Sequence, residues 1–428
     1  MNFVRNLLNL DSSFFIKVLL GFAFIFFFRF GLHIPSPGIN IEAFLSKISS
    51  SGSGSILHMM QTISSGLFGS FSLLSLGVMP YILASIAVQI ISHIYEDNNG
   101  GSKKSSDREF FVKLSRILTL CFAVFQIAMM LSSAKSLMYQ ISNVQHYLLI
   151  STLFFSITAG AMISMWIGEI ISEYSIGNGV SILIFSNISF DFISSFANFF
   201  GSAISTDTFL FSFISFVLLI FMMICAISMC EKSSRIVDVE SSSSNKSKSL
   251  FQKKGAGISH IPMKLNFSGV MPIIFTVTLL GFIINGLNTL VGTFNGNFDS
   301  VFLFIVRSKT IYYGLYLFLI MCFAFLYNSI SFNVEQVSDY LRKSSCVVHG
   351  VKPGAETKAY FTKILNRLSF IGGFYLFLLS VSVDFFKHFL GLNNMVSGAS
   401  YVIVTVICFD LIAKYRIMLL NSKYSLIN

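Results

Sequence analysis

Four ionisable residues, Arg29, Glu169, Glu173 and Asp410, fall within or beside long apolar runs of this chain. A charged group carried into hydrocarbon costs about 2.5 to 3.5 kcal/mol on insertion scales, so such groups mark ion or proton pathways. They would suit a carrier that couples a small solute to protons or sodium. Arg29, Glu169 and Glu173 stand at the ends of their runs, within reach of water or headgroups, and Asp410 has Lys414 four residues on. Coupled transport therefore rests on Asp410 alone. Other chemistry finds less. The six cysteines, Cys121, Cys225, Cys230, Cys322, Cys346 and Cys408, form no CxxC pair, and the seven histidines include no HExxH helix. Neither a metal site nor a disulfide framework is indicated, and no cofactor is expected. There is no GxSxG elbow, Walker loop or dinucleotide fingerprint, and Gly177-Asn178-Gly179 lies between apolar runs rather than between a strand and a helix. No enzyme is expected and no catalytic residue is assigned.

The elements that carry these residues are membrane spans. A chain of 428 residues with 54% hydrophobic and 11% charged residues has more apolar surface than a soluble core hides. Its runs are Phe14 to Gly31, Leu73 to Ile94, Leu114 to Leu131, Tyr147 to Gly168, Val180 to Phe199, Phe209 to Cys230, Ser268 to Leu287, Ile311 to Ser331, Leu368 to Phe385 and Gly398 to Ala413. Most have the roughly 17 to 25 residues that a helix needs to cross hydrocarbon. Arg29 closes the first run and no small-residue cleavage site follows, so that run is expected to stay as a span.

One tetrapeptide occurs twice, as Gly77-Val78-Met79-Pro80 and Gly269-Val270-Met271-Pro272, in the second and seventh runs. Five spans is an odd number, so the second copy would enter the membrane upside down. The arrangement predicts inverted halves, 1–200 and 201–428, with a functional path between them. Chance repetition in so apolar a chain is the competing reading. A proline inside each span is expected to remove a backbone hydrogen bond and so to border a cavity or another helix.

Lysine and arginine set the orientation, because cytoplasmic loops keep them. Alternate segments hold twenty-one against five, the richer set including Lys103, Lys104, Lys253, Lys254, Arg342, Lys343 and Lys352, so both termini are expected in the cytoplasm. The net charge of +10 is thus concentrated on one side. It reads either as topology with attraction to anionic lipid, about 1 kcal/mol per basic residue, or as a docking face. The two basic loops, 231–267 and 332–367, are longer than antiparallel helices need, which favours a role of their own. The first contains Ser241-Ser242-Ser243-Ser244-Asn245-Lys246, the composition of a solvated tip. On the opposite side the piece 56–71 is too short to cross and too apolar to float, so it packs on the outer surface or re-enters between the halves.

The segment from Met165 to Phe185, with Gly168-Glu169 and Gly177-Asn178-Gly179-Val180, strongly resembles a span junction of the SecY family, the pore subunits of the Sec protein translocase. Four further stretches match in order. They are His33 to Ile39, Leu76 to Ile86, Ile261 to Pro272, and Gly350-Val351-Lys352-Pro353-Gly354. The resemblance runs from about Phe14 to Arg416 and implies an all-α membrane protein, ten transmembrane helices in two inverted five-helix halves around an hourglass pore. It implies a waist ring of Val78, Ile82, Val180, Ile184, Ile274 and Ile403, and a plug at 56–71 that includes Ser64, Ser65, Gly66, Leu67, Phe68 and Gly69. Between the second and seventh spans it implies a lateral gate, where Ser85, Gln89 and Thr276 would bias the closed state. An apolar waist stops ions by dewetting and presents no hydrogen-bond pattern to the chain that threads it. The implied substrates are signal peptides and nascent chains, and the implied partners are SecE, SecG, the SecA motor, the ribosome and membrane lipids, in a bacterial inner membrane. Docking would use Arg342, Lys343, Lys352, Lys253 and Lys254. Two departures stand out. Lys352 replaces the arginine of the family's arginine-proline-glycine loop, which removes the bidentate fork, and the 231–267 loop lacks the usual tyrosine-alanine-lysine-arginine run.

Overall fold

The computed structural model describes residues 12–36, 72–98, 105–134, 143–175, 177–203, 209–241, 258–266, 269–293, 309–344, 346–389 and 397–425. Within them each apolar run becomes a helix. In chain order these are α1 (Ser12–His33), α2 (Met79–Asn98), α3 (Ser105–Ala134), α4 (Asn143–Tyr174), α5 (Gly179–Ala203), α6 (Phe209–Lys232), α7 (Met271–Thr293), α8 (Lys309–Ser331), α10 (Ala355–Phe389) and α11 (Gly398–Ser425), with the short amphipathic α9 (Val334–Lys343) between α8 and α10. Six of the helical stretches are long and apolar enough to span by themselves, and α2, α5 and α7 hold shorter apolar pieces. Outward faces carry large apolar side chains, with Phe26 75% and Phe221 69% exposed. Acyl chains suit such a belt and water does not. The protein is a multi-pass membrane protein.

The main apolar core draws on both halves of the chain, from Phe28 of α1 and Ile82 of α2 to Ile274 of α7 and Val406 of α11. A smaller cluster joins α3 to α4 through Ala123, Ile127, Leu153 and Ile157.

Both copies of the repeated tetrapeptide adopt one backbone, and it differs from the expected mid-span proline. Gly77 and Gly269 have φ of 53° and 59°, a left-handed conformation in which a Cβ is strained. The helices begin two residues later at Met79 and Met271, so Pro80 and Pro272 stand in first turns, where an N–H would be unpaired in any case. In each copy the valine carbonyl accepts the first intrahelical bond, Ile82 to Val78 at 3.0 Å and Ile274 to Val270 at 3.2 Å. No ladder bond is lost.

The basic loops fold, which the sequence reading did not anticipate. β1 (Ser234–Ser241) pairs antiparallel with β2 (Ile258–Lys264) and with β3 (Cys346–Val348), in the order β2-β1-β3. Its inward residues Val237 and Val239 join Met263, Leu341 of α9, Val348 and the stripe Phe361, Ile364, Leu365 and Leu368 of α10 in a third apolar core. That stripe has helical spacing, which is why α10 starts at Ala355, well before the apolar run at Leu368. Asn333 caps α9 by accepting from Gln336 N at 3.1 Å.

Candidate functional site

The six ring candidates come from four helices. Val78 and Ile82 lie at the start of α2, Val180 and Ile184 in the first turns of α5, Ile274 at the start of α7, and Ile403 in α11. Val78, Ile82, Ile274 and Ile403 are at most 4% exposed, and Val180 and Ile184 are partly buried against them in the same apolar cluster. The cluster is larger than the six, and includes Ile188, Val402 and Val406. α5 is tied to α11 here by the edge-on contact of Phe192 with Tyr401, centroids 4.4 Å apart.

The turn that starts α5 is held by the motif residues themselves. Ser172 Oγ donates to Gly168 O at 2.9 Å and accepts from Gly179 N at 2.8 Å, while Asn178 Oδ1 accepts from Val180 N at 3.1 Å. A Cβ on Gly179 would strike the Gly168 carbonyl, so the close approach of α4 to α5 requires glycine. This fixes the height at which Val180 meets the cluster.

α2 packs on α7, and α8 closes the crevice beside them. Ile86, Gln89 and Ile90 face Phe275, Phe323 and Tyr327 across a cavity of about 10 Å³, room for one water at most. The three gate candidates behave differently. Gln89 lines the crevice, whereas Ser85 Oγ donates to Ile82 O of its own helix at 2.8 Å and Thr276 Oγ1 to Pro272 O at 2.7 Å. Neither hydroxyl bond crosses the crevice, because a buried hydroxyl in a helix takes the carbonyl one turn back. A polar contact that does cross was missed: His93 Nε2 of α2 lies 3.2 Å from Ser329 Oγ of α8. Gln126 of α3 was missed too. It is 7% exposed, and its Oε1 has no hydrogen-bond partner among the described residues.

At the other face of the sheet, β1 carries Asp238 and Glu240 outward, paired with His260 at 2.8 Å and His349 at 2.9 Å. Of the docking candidates, Arg342 is exposed and pairs with Asp339 at 3.3 Å, Lys343 is exposed, and Lys352 stands 3.9 Å from Glu356 in the turn between Gly350 and Gly354. Lys253, Lys254, the solvated tip from Ser242 onward and the whole plug piece, Ser64, Ser65, Gly66, Leu67, Phe68 and Gly69 included, lie outside the described residues. A groove of about 570 Å³ opens beneath α9, lined by Ile261, Phe332, Gln336, Val337 and Tyr340 among others.

The charges near the spans are compensated. Arg116 of α3 grips Glu169 of α4, with Nη2 to Oε2 at 2.9 Å and Nε to Oε1 at 3.3 Å, and Glu173 is exposed. Asp410 is half-buried among Lys414, Lys264 and the backbone at Gly269. Beside it the buried Asn266 donates to Glu231 Oε1 at 2.9 Å and to Gly269 O at 3.0 Å, joining the end of α6 to the start of α7. Among the described residues no group of three or more His, Cys, Asp or Glu could hold a metal ion.

Comparison with known proteins gives one answer. The SecY family model matches residues 72–412. The chain is 33% identical to protein translocase subunit SecY of Rickettsia felis over 92% of this chain and 91% of that protein, and 29% identical to protein translocase subunit SecY of Escherichia coli K12 over 93% and 90%. Among solved structures it is similar to a protein conducting channel, with a TM-score of 0.65, 14% identity and coverage of 96% of this chain and 92% of that one. Sec61 in the canine ribosome-channel complex from the endoplasmic reticulum matches with a TM-score of 0.61, also at 14% identity, covering 96% and 92%.

Proposed function

The chain belongs to the SecY family, and from that premise we propose that it is the pore subunit of a protein translocase, passing unfolded secretory chains across a membrane and releasing apolar segments sideways into lipid. The observation that carries the reading is the gathering of Val78, Ile82, Val180, Ile184, Ile274 and Ile403, from four helices, into one apolar cluster that draws on both halves of the chain. These six form the waist. Methylene and methyl groups give water nothing to bond to, so a narrow ring of them dewets and blocks ions, yet it accepts any side chain that pushes through. The plug of such a pore is assigned, on the family resemblance alone, to residues 56–71.

Lateral release goes through the seam of α2 with α7 and α8. In the closed state that seam is filled by aromatic and aliphatic side chains and fastened by His93 and Ser329. A sufficiently apolar segment replaces those contacts with its own, so the seam sorts chains by apolar area rather than by sequence. The sheet domain and α9, on the basic side, face the cytoplasm with both termini. They dock the ribosome and the SecA motor through Arg342, Lys343, Lys352, Lys253 and Lys254, while SecE and SecG cover part of the apolar belt in the inner membrane. The two halves are 1–200 and 201–428.

The test is reconstitution of the chain with its accessory subunits and motor in vesicles holding no other transporter. Protease-protected accumulation of an unfolded precursor is the expected result. Uptake of a small solute against its gradient, lost in Asp410→Asn, with no precursor protected, would overturn the reading in favour of a carrier.

A further inference from the structure

Arg29 stands in α1, one turn before that helix ends at His33. Its neighbours Phe26 and Phe30 are 75% and 60% exposed to the surroundings, but the guanidinium turns the other way, onto α5. Nη1 donates to Asn187 Oδ1 at 3.2 Å, Cζ lies 3.8 Å above the centroid of the Phe190 ring, and Asp191 is within electrostatic reach. His33 meets the same ring edge-on, with centroids 6.3 Å apart. Asn187 is only 4% exposed, so its amide has little access to water. Each contact lowers the cost of holding a guanidinium at this depth: a charge-assisted hydrogen bond, a cation over an aromatic face, and an opposite charge.

The spacing on α5 gives the contact its meaning. Val180, Ile184, Asn187 and Asp191 follow one another at intervals of four, three and four, which places them on a single stripe of the helix. The stripe that Arg29 grips is therefore the stripe that carries two of the six waist residues. Turning α5 to swing Ile184 away from the waist would pull Asn187 and Asp191 off the guanidinium and leave its charge without these partners.

We propose that Arg29, held by Asn187, Phe190 and Asp191, is an intramembrane latch that fixes the rotation of α5 and so keeps Val180 and Ile184 turned into the closed waist. Arg29 and Asp191 are positioning residues for the seal, and the inference rests on the waist assignment above. The experiment measures resting ion flux through the chain, reconstituted with its accessory subunits, in Arg29→Gln, Asp191→Asn, the exchange Arg29→Asp with Asp191→Arg, and Ile184→Asn. The expected result is flux raised about tenfold in Arg29→Gln, the factor that a barrier lowered by about 1.4 kcal/mol gives. Asp191→Asn leaks less but in the same direction. The exchange brings flux back below that of Arg29→Gln, because opposite charges face each other again with reversed polarity although the contacts to Asn187 and Phe190 are lost, a recovery that loss of packing alone does not produce. A leak that the exchange leaves in place overturns the latch. So does parental flux in both single variants while Ile184→Asn leaks. Parental flux in Ile184→Asn removes the waist assignment and the latch with it. If Arg29→Gln does not accumulate in the membrane, Asp191→Asn and the exchange decide the matter.

Discussion

The starts of α2 and α7 share a backbone and differ in what holds them. At α2 the tether comes from the α1 side: Leu73 N donates to Ile34 O at 2.9 Å, Pro35 bridges to Ser72, and Leu73 O packs where a Cβ on Gly160 would stand. At α7 the tether comes from the basic side, where Asn266, two residues after β2, bonds both Glu231 and Gly269. One helix of the seam is thus anchored to the segment that follows α1, and the other to the sheet domain. An inverted repeat produces this outcome, since the same turn finds itself at opposite faces of the membrane.

Several substitutions separate the waist from the tethers. Ile82→Asn or Ile184→Asn places an amide in the apolar cluster, and resting ion flux in vesicles is expected to rise by about tenfold or more as the constriction wets; unchanged flux detaches the waist from both helices. Asn266→Ala leaves Glu231 without its amide donor, at a cost of about 1 to 3 kcal/mol in thermal or denaturant unfolding. Its effect should exceed that of Thr276→Val, which deletes only a bond within α7, and equal costs would show that Asn266 is no tether. Gly77→Ala and Gly269→Ala each force a Cβ into the left-handed region, at about 1 to 2 kcal/mol. The two costs should match if the shared backbone is what matters. Lys352→Glu leaves stability within about 0.5 kcal/mol, because the exposed pairing with Glu356 contributes little. Motor-driven export, measured by precursor protection, should nevertheless fall while the seal stays intact.

The sequence reading was most reliable where one property decides the outcome. Ten apolar runs became ten helices because hydrocarbon leaves the backbone no other way to satisfy itself. The prolines were misplaced because the apolar run beginning at Leu73 continues without a break through the turn at Gly77, and hydropathy does not register a positive φ. The sheet was missed for the opposite reason: Val237, Val239, Ile261 and Met263 alternate as strand residues should, but they sit among serines and lysines that read as a solvated loop. At the seam, Ser85 and Thr276 were visible as polar residues, whereas the choice of their own carbonyls over a partner helix depends on coordinates. His93 and Ser329, 236 residues apart, have no local pattern that joins them. The stripe Val180, Ile184, Asn187 and Asp191 went unread, although its spacing is helical. Its meaning came only with the guanidinium that lies against it.

The waist is the claim on which the rest depends, and crosslinking a stalled secretory chain tests it most directly. With the native cysteines replaced, single cysteines would be placed by Ile82→Cys, Ile184→Cys and, as an outward control, Met222→Cys, whose side chain is 59% exposed on α6. Crosslinks at 82 and 184 and none at 222 are the predicted result. A stalled chain that reaches 222 as readily as 82 and 184, or that reaches neither waist position, contradicts the account.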